Sequence, residues 1–240
     1  MGKLFIVMQA YNEEANIEKV VKQWHPVVEK IGGNSKLVIF DDGSKDTTYS
    51  IMQKLQEEYP CLIPITKPNS GHGATCLYAY RYAIKKGAAY IFQTDSDGQT
   101  SPDEFWSFWN LRNKYDFIIG LRKGRMDGLG RVVVTKVLKF IIWLIFGAFV
   151  KDANTPFRLM KTEKLIPVIK IIPKDFFLSN VAISVIIVLK KQKYKWKPIT
   201  FKPRQGGVNS INFKKIAKIG VKAIKEFNEI KYMLRKSSEF

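Results

Sequence analysis

The segment IFQTDSDGQTSP, residues 91–102, joins an apolar run to a cluster of polar side chains. The run Ala89–Gln93 is typical of a short buried strand, and Asp95 and Asp97 follow it directly. Alternate residues of an extended backbone point to the same side, so the two carboxylates would face the same way. With the Gln99 amide oxygen they suit a hard divalent cation, Mg²⁺ or Mn²⁺, that also binds phosphate oxygens.

The same segment has a structural interpretation, a polar turn in which Asp95 or Ser101 caps a helix that begins at Pro102. Its position favours ligand binding, because ligands of doubly wound sheets bind beyond the carboxyl ends of the strands. Three more polar segments each follow a predicted strand directly: QAYNEE (9–14), DDGSKDTT (41–48) and KPNSGHGAT (67–75).

Apolar runs alternate with helical patterns through residues 1–120. Between the first two runs, apolar residues such as Ile17, Val21 and Trp24 recur every three or four positions, as on one helix face. This alternation predicts parallel βαβ units and a doubly wound α/β sheet. The runs that predict buried strands are Leu4–Met8, Leu37–Phe40, Leu62–Thr66, Ala89–Gln93 and Phe117–Gly120.

The pattern weakens after residue 120. Val132–Val150 is predicted to be a long apolar helix, and Val181–Leu189 is a second apolar run. The stretch KPITFKPRQGGVNS, residues 197–210, predicts a strand followed by a glycine turn.

The chain of 240 residues, 46% of them hydrophobic, is sufficient for one domain with a sizeable core. Its net charge of +19 is concentrated near the end, where residues 190–240 carry 15 Lys or Arg and 3 Asp or Glu. Such a charge favours anionic partners: nucleic acid, an anionic membrane surface or phosphorylated ligands. Nucleic acid is not expected, because the chain lacks the interleaved basic and aromatic patches of single-strand binders.

Two cysteines, Cys61 and Cys76, form neither a disulfide framework nor a zinc-binding spacing. The first apolar run is too short for a signal peptide. The longest uncharged apolar run, Phe140–Val150, is 11 residues long, against the roughly 20 that a membrane-spanning helix needs. We therefore expect a cytoplasmic protein without a transmembrane segment.

The polar segments after the second and third strands are candidates for binding a nucleotide. Asp41 is suited to accept hydrogen bonds from a nucleobase or ribose, whereas Asp46 is better suited to cap the next helix. The loop KPNSGHGAT could place backbone amides against a phosphate, although it matches neither a P-loop nor G-x-G-x-x-G. In this loop His72 either touches the donor or is an exposed histidine.

Three arginines occur in later segments, Arg122 in GLRKGR, Arg158 in KDANTPFRLM and Arg204 in PRQGGVNS, and the last two are flanked by Pro, Gly or aromatic residues. Arginine binds phosphate through two parallel hydrogen bonds, so we expect these residues around one phosphate. Each could instead be a solvated surface charge.

The motifs, taken in order, resemble those of the inverting family 2 glycosyltransferases over about residues 4–210. The resemblance is greatest to the dolichol-phosphate mannose synthase and polyprenyl-phosphate glycosyltransferase branch. QAYNEE is similar to P-x-Y-N-E-E with Ala10 in place of Pro, DDGSKDTT to the nucleoside signature, NSGHGAT to N-x-G-x-G-x-A, and DSDGQ to D-x-D-x-Q. The weaker later matches are GLR to G-S-R, DANTPFR to D-x-x-x-G-F-R, and RQGGVNS to R-x-x-G-x-S.

The resemblance implies a GT-A fold and three groups of site residues. The implied catalytic residues are Asp97, Asp152 and Arg158, and the implied metal ligands are Asp95, Asp97 and Gln99. Phosphate or acceptor binding is implied for Arg122, Arg131, Arg158, Arg204 and Ser210. Donor binding is implied for Ala10, Tyr11, Asn12, Glu13, Asp41, Asp42, Gly43, Asn69, Gly71, Asp95 and Ser96.

The implied reaction moves a sugar, with inversion, from a nucleotide-sugar donor to a polyprenyl phosphate. A phosphate acceptor needs little general-base help, whereas a sugar hydroxyl would need a base, for which Asp152 is the candidate. Two alternatives remain, extension of a lipid-linked or polysaccharide acceptor and a non-catalytic module that binds sugar nucleotides.

We expect a catalytic domain over residues 1–207 and a basic helical tail over residues 208–240. Within residues 213–236, six apolar residues fall on one helical stripe: Ile216, Ile219, Ala223, Phe227, Ile230 and Leu234. Lysines fall on the opposite face, a pattern typical of a helix that binds the cytoplasmic face of an anionic membrane. The alternative is that the stripe packs on the catalytic domain.

Overall fold

The computed structural model of the protein describes residues 2–123, 129–202 and 213–238, with backbone alone for 129–134, 213–219, 222 and 237–238. Its strands are β1 (Leu4–Ala10), β2 (Lys36–Asp41), β3 (Leu62–Thr66), β4 (Tyr90–Gln93), β5 (Phe117–Lys123), β6 (Arg158–Lys161) and β7 (Tyr194–Thr200). Its helices are α1 (Ile17–Ile31), α2 (Thr48–Glu58), α3 (His72–Lys85), α4 (Pro102–Trp109), α5 (Leu129–Phe146), α6 (Thr162–Ile171), α7 (Ser179–Leu189) and α8 (Phe213–Ser238).

The strands form one mostly parallel sheet in the order β3-β2-β1-β4-β6-β5-β7. The first four strands are mutually parallel, with Ala10 of β1 opposite Asp41 of β2. β6 is antiparallel to both of its neighbours, and β7 is parallel to β5. The predicted doubly wound α/β architecture is confirmed, and β6 is an addition that the sequence pattern did not predict.

Helices cover both faces of the sheet. On one face α1, α2 and α4 pack through a cluster in which Trp24 lies 5.5 Å from Phe92 and 6.1 Å from Phe157, between ring centroids. The apolar residues predicted for one face of α1, including Ile17 and Val21, are buried there. Burying one such side chain contributes roughly 1.5–3 kcal/mol, so this periodicity determines which face of the helix meets the sheet.

The other face is covered by α3, α5, α6, α7 and α8. Within α8, Ala223, Phe227 and Ile230 are buried, and the Phe227 ring lies 5.7 Å from that of Phe146. The Glu226 carboxylate accepts a hydrogen bond from the Phe177 amide at 3.2 Å.

The apolar stripe of α8 was expected to face a membrane, with packing on the catalytic domain as the alternative, and for Ala223, Phe227 and Ile230 the structure shows the alternative. Three of its residues are buried against the domain, because they complete the core beside α5 and α6. The side chains of Ile216 and Ile219 lie outside the described residues. None of the helices described is both long enough and apolar enough to cross a bilayer.

Candidate active site

The strand order brings the predicted polar segments together. Since β2, β1 and β4 are parallel neighbours, the residues after their carboxyl ends meet at one edge of the sheet. There they enclose a pocket of about 440 Å³, within the size range of ligand-binding cavities. It is lined by Gln9, Ala10, Tyr11, Glu13, Asp42, Asn69, Gly71, His72, Asp95, Ser96 and Asp97.

Asp42 holds the loop before α3 in place. Its carboxylate accepts the backbone amides of Ser70 and Gly71, both at 2.9 Å, and a hydrogen bond from the Lys67 ammonium group. Burial alone would raise the pKa of Asp42, but the Lys67 ammonium and the Ser70 amide outweigh burial and lower that pKa below its usual value. Asp42 is therefore an anion that positions the segment containing Asn69 and Gly71.

Asp41 lies next to a pocket residue in the sequence, but its carboxylate is hydrogen-bonded to residues at the ends of β2 and β3. Its carboxylate accepts hydrogen bonds from the Ser44 amide at 3.1 Å and from the Thr66 hydroxyl at 2.7 Å. The pocket wall contains Asp42 instead, so the two adjacent aspartates have different surroundings. Asp46 accepts the Thr48 amide at 3.0 Å, which is the predicted capping role.

The loop after β1 is fastened to the loop after β2. The Asn12 amide donates to the Ser44 hydroxyl and the Lys45 amide donates to the Asn12 side chain, both at 2.9 Å. Asn12 has φ of 54°, and the Glu13 amide donates to the Thr48 hydroxyl at 2.8 Å. These bonds leave the Tyr11 ring 42% exposed at the pocket.

Gly43 makes this arrangement sterically possible. Its φ is 69°, and a Cβ added there would lie 2.9 Å from the backbone nitrogen of Asn69. A side chain at this position would push apart the two loops that form the pocket.

Asp95 and Asp97 lie on the pocket wall, as their spacing predicted. The Ser96 hydroxyl between them donates to the Gln9 carbonyl at 2.7 Å, which ties the segment to β1. Oδ1 of Asp95 is buried and has no hydrogen-bond partner within the described part of the chain. An aspartate oxygen in this state is suited to receive a cation or a ligand hydroxyl.

Gln99, the third predicted metal ligand, is tied to the segment after β7. The side-chain amide of Gln99 donates to the Lys202 carbonyl at 2.7 Å, and the backbone carbonyl of Gln99 accepts the Lys202 amide at 2.9 Å. Across residues 2–123, 129–202 and 213–238, no group of three or more His, Cys, Asp and Glu side chains is placed to hold a metal.

His72 begins α3 and belongs to the pocket wall. Its Nε2 atom lies 3.5 Å from the Cys76 sulfur. The Cys76 sulfur raises the pKa of His72, and the carboxylates of Asp95 and Asp42 act in the same direction. A raised pKa favours the protonated imidazole, which is exposed beside the two acidic residues of the wall.

Arg122 and Asp152 form a mostly buried ion pair. Nε and Nη2 of Arg122 donate to the Asp152 carboxylate at 2.9 and 2.7 Å, and the Arg122 amide donates to it at 3.2 Å. The Phe201 ring covers the guanidinium, with its centroid 5.1 Å away. The two residues were predicted for different roles, phosphate binding and base catalysis, and the fold places them together.

Arg158 is fully buried near the ion pair of Arg122 and Asp152. It lies in β6 opposite Gln93, and its guanidinium donates to the carbonyls of Thr155 and Ala153 at 2.6 and 2.7 Å. Burial lowers the pKa of Arg158, while Tyr80 and Asp152 act against that effect. Arg158 thus supports the segment that carries Asp152.

Other predicted residues cannot be placed. The side chain of Arg131 is outside the described residues, as are Arg204 and Ser210 entirely. Sequence reasoning gave no role to Lys67, although its position directly after β3, beside the strand-end aspartates, was a signal for one.

Comparison with a protein family supports the interpretation of these motifs. The model of the family described as "Glycosyl transferase family 2" matches residues 5–167. A UDP-N-acetylglucosamine–dolichyl-phosphate N-acetylglucosaminyltransferase of Methanococcus voltae is 28% identical over 184 residues, covering 68% of this chain and 70% of that protein. An undecaprenyl-phosphate 4-deoxy-4-formamido-L-arabinose transferase of Salmonella paratyphi B is 23% identical over 157 residues, covering 65% of this chain and 48% of that protein.

Solved structures share the fold. Glucosyl-3-phosphoglycerate synthase from Mycobacterium tuberculosis, in complex with Mn²⁺ and UDP-glucose, has a TM-score of 0.65 at 15% identity, covering 95% of this chain and 79% of that one. Mannosyl-3-phosphoglycerate synthase from Rubrobacter xylanophilus has a TM-score of 0.64 at 11% identity, covering 100% and 76%. These likenesses confirm the predicted GT-A architecture.

Proposed function

The chain belongs to glycosyl transferase family 2 and is a glycosyltransferase, and on this premise we propose that it moves a sugar, with inversion, from a nucleotide sugar to a polyprenyl-phosphate-type acceptor. The observation that carries the proposal is the pocket at the ends of β1, β2 and β4, which unites all four polar segments. Two relatives whose names specify dolichyl and undecaprenyl phosphate support the acceptor class.

The donor's base and ribose would bind at the Tyr11 end of the pocket. The exposed Tyr11 ring can stack on a base, and the loop held by Asp42 contributes Asn69 and Gly71 to the wall of the same pocket. The diphosphate would then lie near the amino-terminal end of α3, where the helix dipole and His72 both favour negative charge.

Asp95 and Asp97 fit a divalent cation. Oδ1 of Asp95 is buried without a partner in the described residues, and Asp97 lies two positions further on the same wall. The two carboxylates would hold Mg²⁺ or Mn²⁺ together with donor phosphate oxygens and water, the mixed ligand set that such ions accept. When bound, the cation offsets negative charge on the departing nucleoside diphosphate.

The ion pair of Arg122 and Asp152 favours a phosphate over a hydroxyl acceptor. A hydroxyl nucleophile needs a base, and the carboxylate predicted for that role already accepts three hydrogen bonds from Arg122. A phosphate is already ionised near neutral pH, so positioning of the acceptor oxygen suffices. Arg122 would share its guanidinium between Asp152 and the incoming phosphate.

The place of action that follows is the cytoplasmic membrane surface, where a polyprenyl phosphate resides. The net charge of +19 supports attraction to anionic headgroups.

Nucleotide release from a panel of nucleotide sugars tests this proposal. We expect metal-dependent release from one donor that rises when polyprenyl phosphate is added, and no comparable rise with a saccharide acceptor. Stimulation by saccharides alone would assign the chain to the hydroxyl-acceptor class, and binding of donors without any turnover would make it a non-catalytic module.

A further inference from the structure

Helix α5 exposes an apolar surface to solvent. Phe140 is 58% exposed, Trp143 44%, Leu144 65% and Phe149, just beyond the helix, 78%. Exposed apolar residues scattered singly need no explanation, but these four lie together in residues 140–149. We call them, with the exposed Val137, the α5 face.

The α5 face is continuous. The rings of Phe140 and Trp143 are 5.9 Å apart and those of Trp143 and Phe149 are 6.5 Å apart, between centroids. Positions three and four apart on a helix share one side, which explains how the sequence aligns them. The helix itself is firmly docked, since Ile142 is buried and Phe146 packs on Phe227 of α8.

Cations accompany the α5 face along the chain, with no anion in the same stretch of sequence. Lys136 and Lys139 are exposed one turn before Phe140 and Trp143, and exposed Lys151 follows Phe149. From residue 128 to residue 151 the sequence contains no Asp or Glu. Aromatic rings beside lysines match the interface of an anionic lipid layer, in which rings sit among headgroups and lysines meet phosphates. Two copies of the face would instead oppose like charges, which disfavours a homodimer.

The α5 face lies next to the proposed acceptor site along the chain. Only two residues, Val150 and Lys151, separate Phe149 from Asp152, the partner of Arg122, and Val150 is buried. The α8 stripe is not the equivalent surface, because its Ala223, Phe227 and Ile230 face the core.

We propose that the α5 face inserts into the headgroup region of anionic membranes and thereby brings the Arg122–Asp152 pair to the lipid surface. Its link to the acceptor rests on the proposed function, whereas the lipid contact itself stands on the exposed side chains and lysines.

Co-sedimentation of the full chain with vesicles tests the proposal. At low salt, we expect the double variant Phe140→Ser, Phe149→Ser to lose at least tenfold in partitioning to phosphatidylglycerol-containing vesicles. Val221→Ser is the matched control, since Val221 is 71% exposed on α8, and it should bind like the unmodified chain. Equal binding of the double variant and the unmodified chain, or an equal loss in the Val221 control, would overturn the assignment to α5.

A second measurement needs only one conservative substitution, at the exposed Trp143. Lipids brominated near the headgroup should quench part of the tryptophan fluorescence of the chain, and Trp143→Phe should remove that part. Quenching that survives this substitution contradicts the proposal.

Turnover with a short, water-soluble prenyl phosphate separates the two proposals. The double variant should keep the turnover of the unmodified chain, because the α5 face is needed only for lipid contact. Vesicle binding without turnover in the unmodified chain would defeat the proposed function and leave the lipid contact standing. A dimer in the vesicle-free chain that the double variant disperses would instead identify the face as a protein interface and overturn the membrane assignment.

Discussion

The carboxylate of Asp152 accepts two guanidinium hydrogen bonds from Arg122, at 2.9 and 2.7 Å, in a site where both side chains are less than a tenth exposed. The pair links the strand β5 to the segment that follows α5. Its burial means that neither charge can be removed without consequence for the other.

Asp152→Asn should therefore destabilise the protein by about 3 kcal/mol, because it leaves the Arg122 charge buried without its counterion. Urea unfolding at pH 7 measures the change. With a phosphate acceptor the folded variant should keep measurable turnover, since no base is required. A loss of more than a thousandfold in kcat, in protein shown to be folded, would instead identify Asp152 as a base.

Asp97→Ala should reduce kcat by at least about a hundredfold while leaving the midpoint of unfolding nearly unchanged. The carboxylate lies on the pocket wall, where the charge that it helps to hold is worth several kcal/mol in the transition state. Asp103→Ala, an exposed acidic residue in the first turn of α4, is the control and should behave like the unmodified chain. Full activity of Asp97→Ala in EDTA would rule out the metal site.

Gly43→Ala should destabilise the protein more than Gly87→Ala does. Both positions have positive φ, 69° and 71°, and both variants bear the cost of a left-handed residue, about 1 kcal/mol. Only at Gly43 would the new Cβ collide, lying 2.9 Å from the Asn69 nitrogen, whereas nothing lies within 4 Å at Gly87. Overpacking should add about 1–3 kcal/mol and raise the KM for the donor. Equal unfolding free energies and equal KM values for the two variants would show that the loops tolerate separation.

Asp42 should make stability depend on acid. Its pKa is lowered in the folded protein, so its contribution is complete above its unfolded pKa, near 4, and disappears as the pH falls through the lower folded value. Lys67→Met removes one cause of that shift, and the loss of unfolding free energy between pH 5 and pH 2 should then be smaller. Denaturant titrations of both proteins across this range measure it. An unchanged pH dependence would mean that Lys67 does not stabilise the Asp42 anion.

The sequence predicted the elements whose pattern is local. The strands β1 to β5 were found because buried parallel strands are apolar runs, whereas β6 was missed. Arg158 begins that four-residue strand, and a buried arginine gives no apolar signal. β5 extends to Lys123 because pairing with β7 continues through Arg122, which its polarity concealed.

The candidate site shows a similar limit. Polar residues at strand ends identified the pocket, and Asp95 and Asp97 lie on its wall as expected. The sequence could not show that Gln99 turns to the Lys202 carbonyl or that Asp41 turns to Thr66, because both partners come from other elements. Contacts of this kind depend on the tertiary packing of loops that are distant in sequence.

The antiparallel strand β6 also connects the later part of the enzyme, after residue 97, to the earlier part. Among the described residues, those that line the proposed donor pocket fall within residues 9–97, and Arg122, the α5 face and Asp152 come later in the chain. β6 returns from the later half to pair with β4, in the register that runs from Tyr90 opposite Lys161 to Gln93 opposite Arg158. On the proposed function, the donor and acceptor contacts lie in consecutive blocks of the chain, so a chimera of two relatives that exchanges one specificity would have to preserve this ladder and the other contacts between the blocks, such as those of Trp24 with Phe157 and of Gln99 with Lys202.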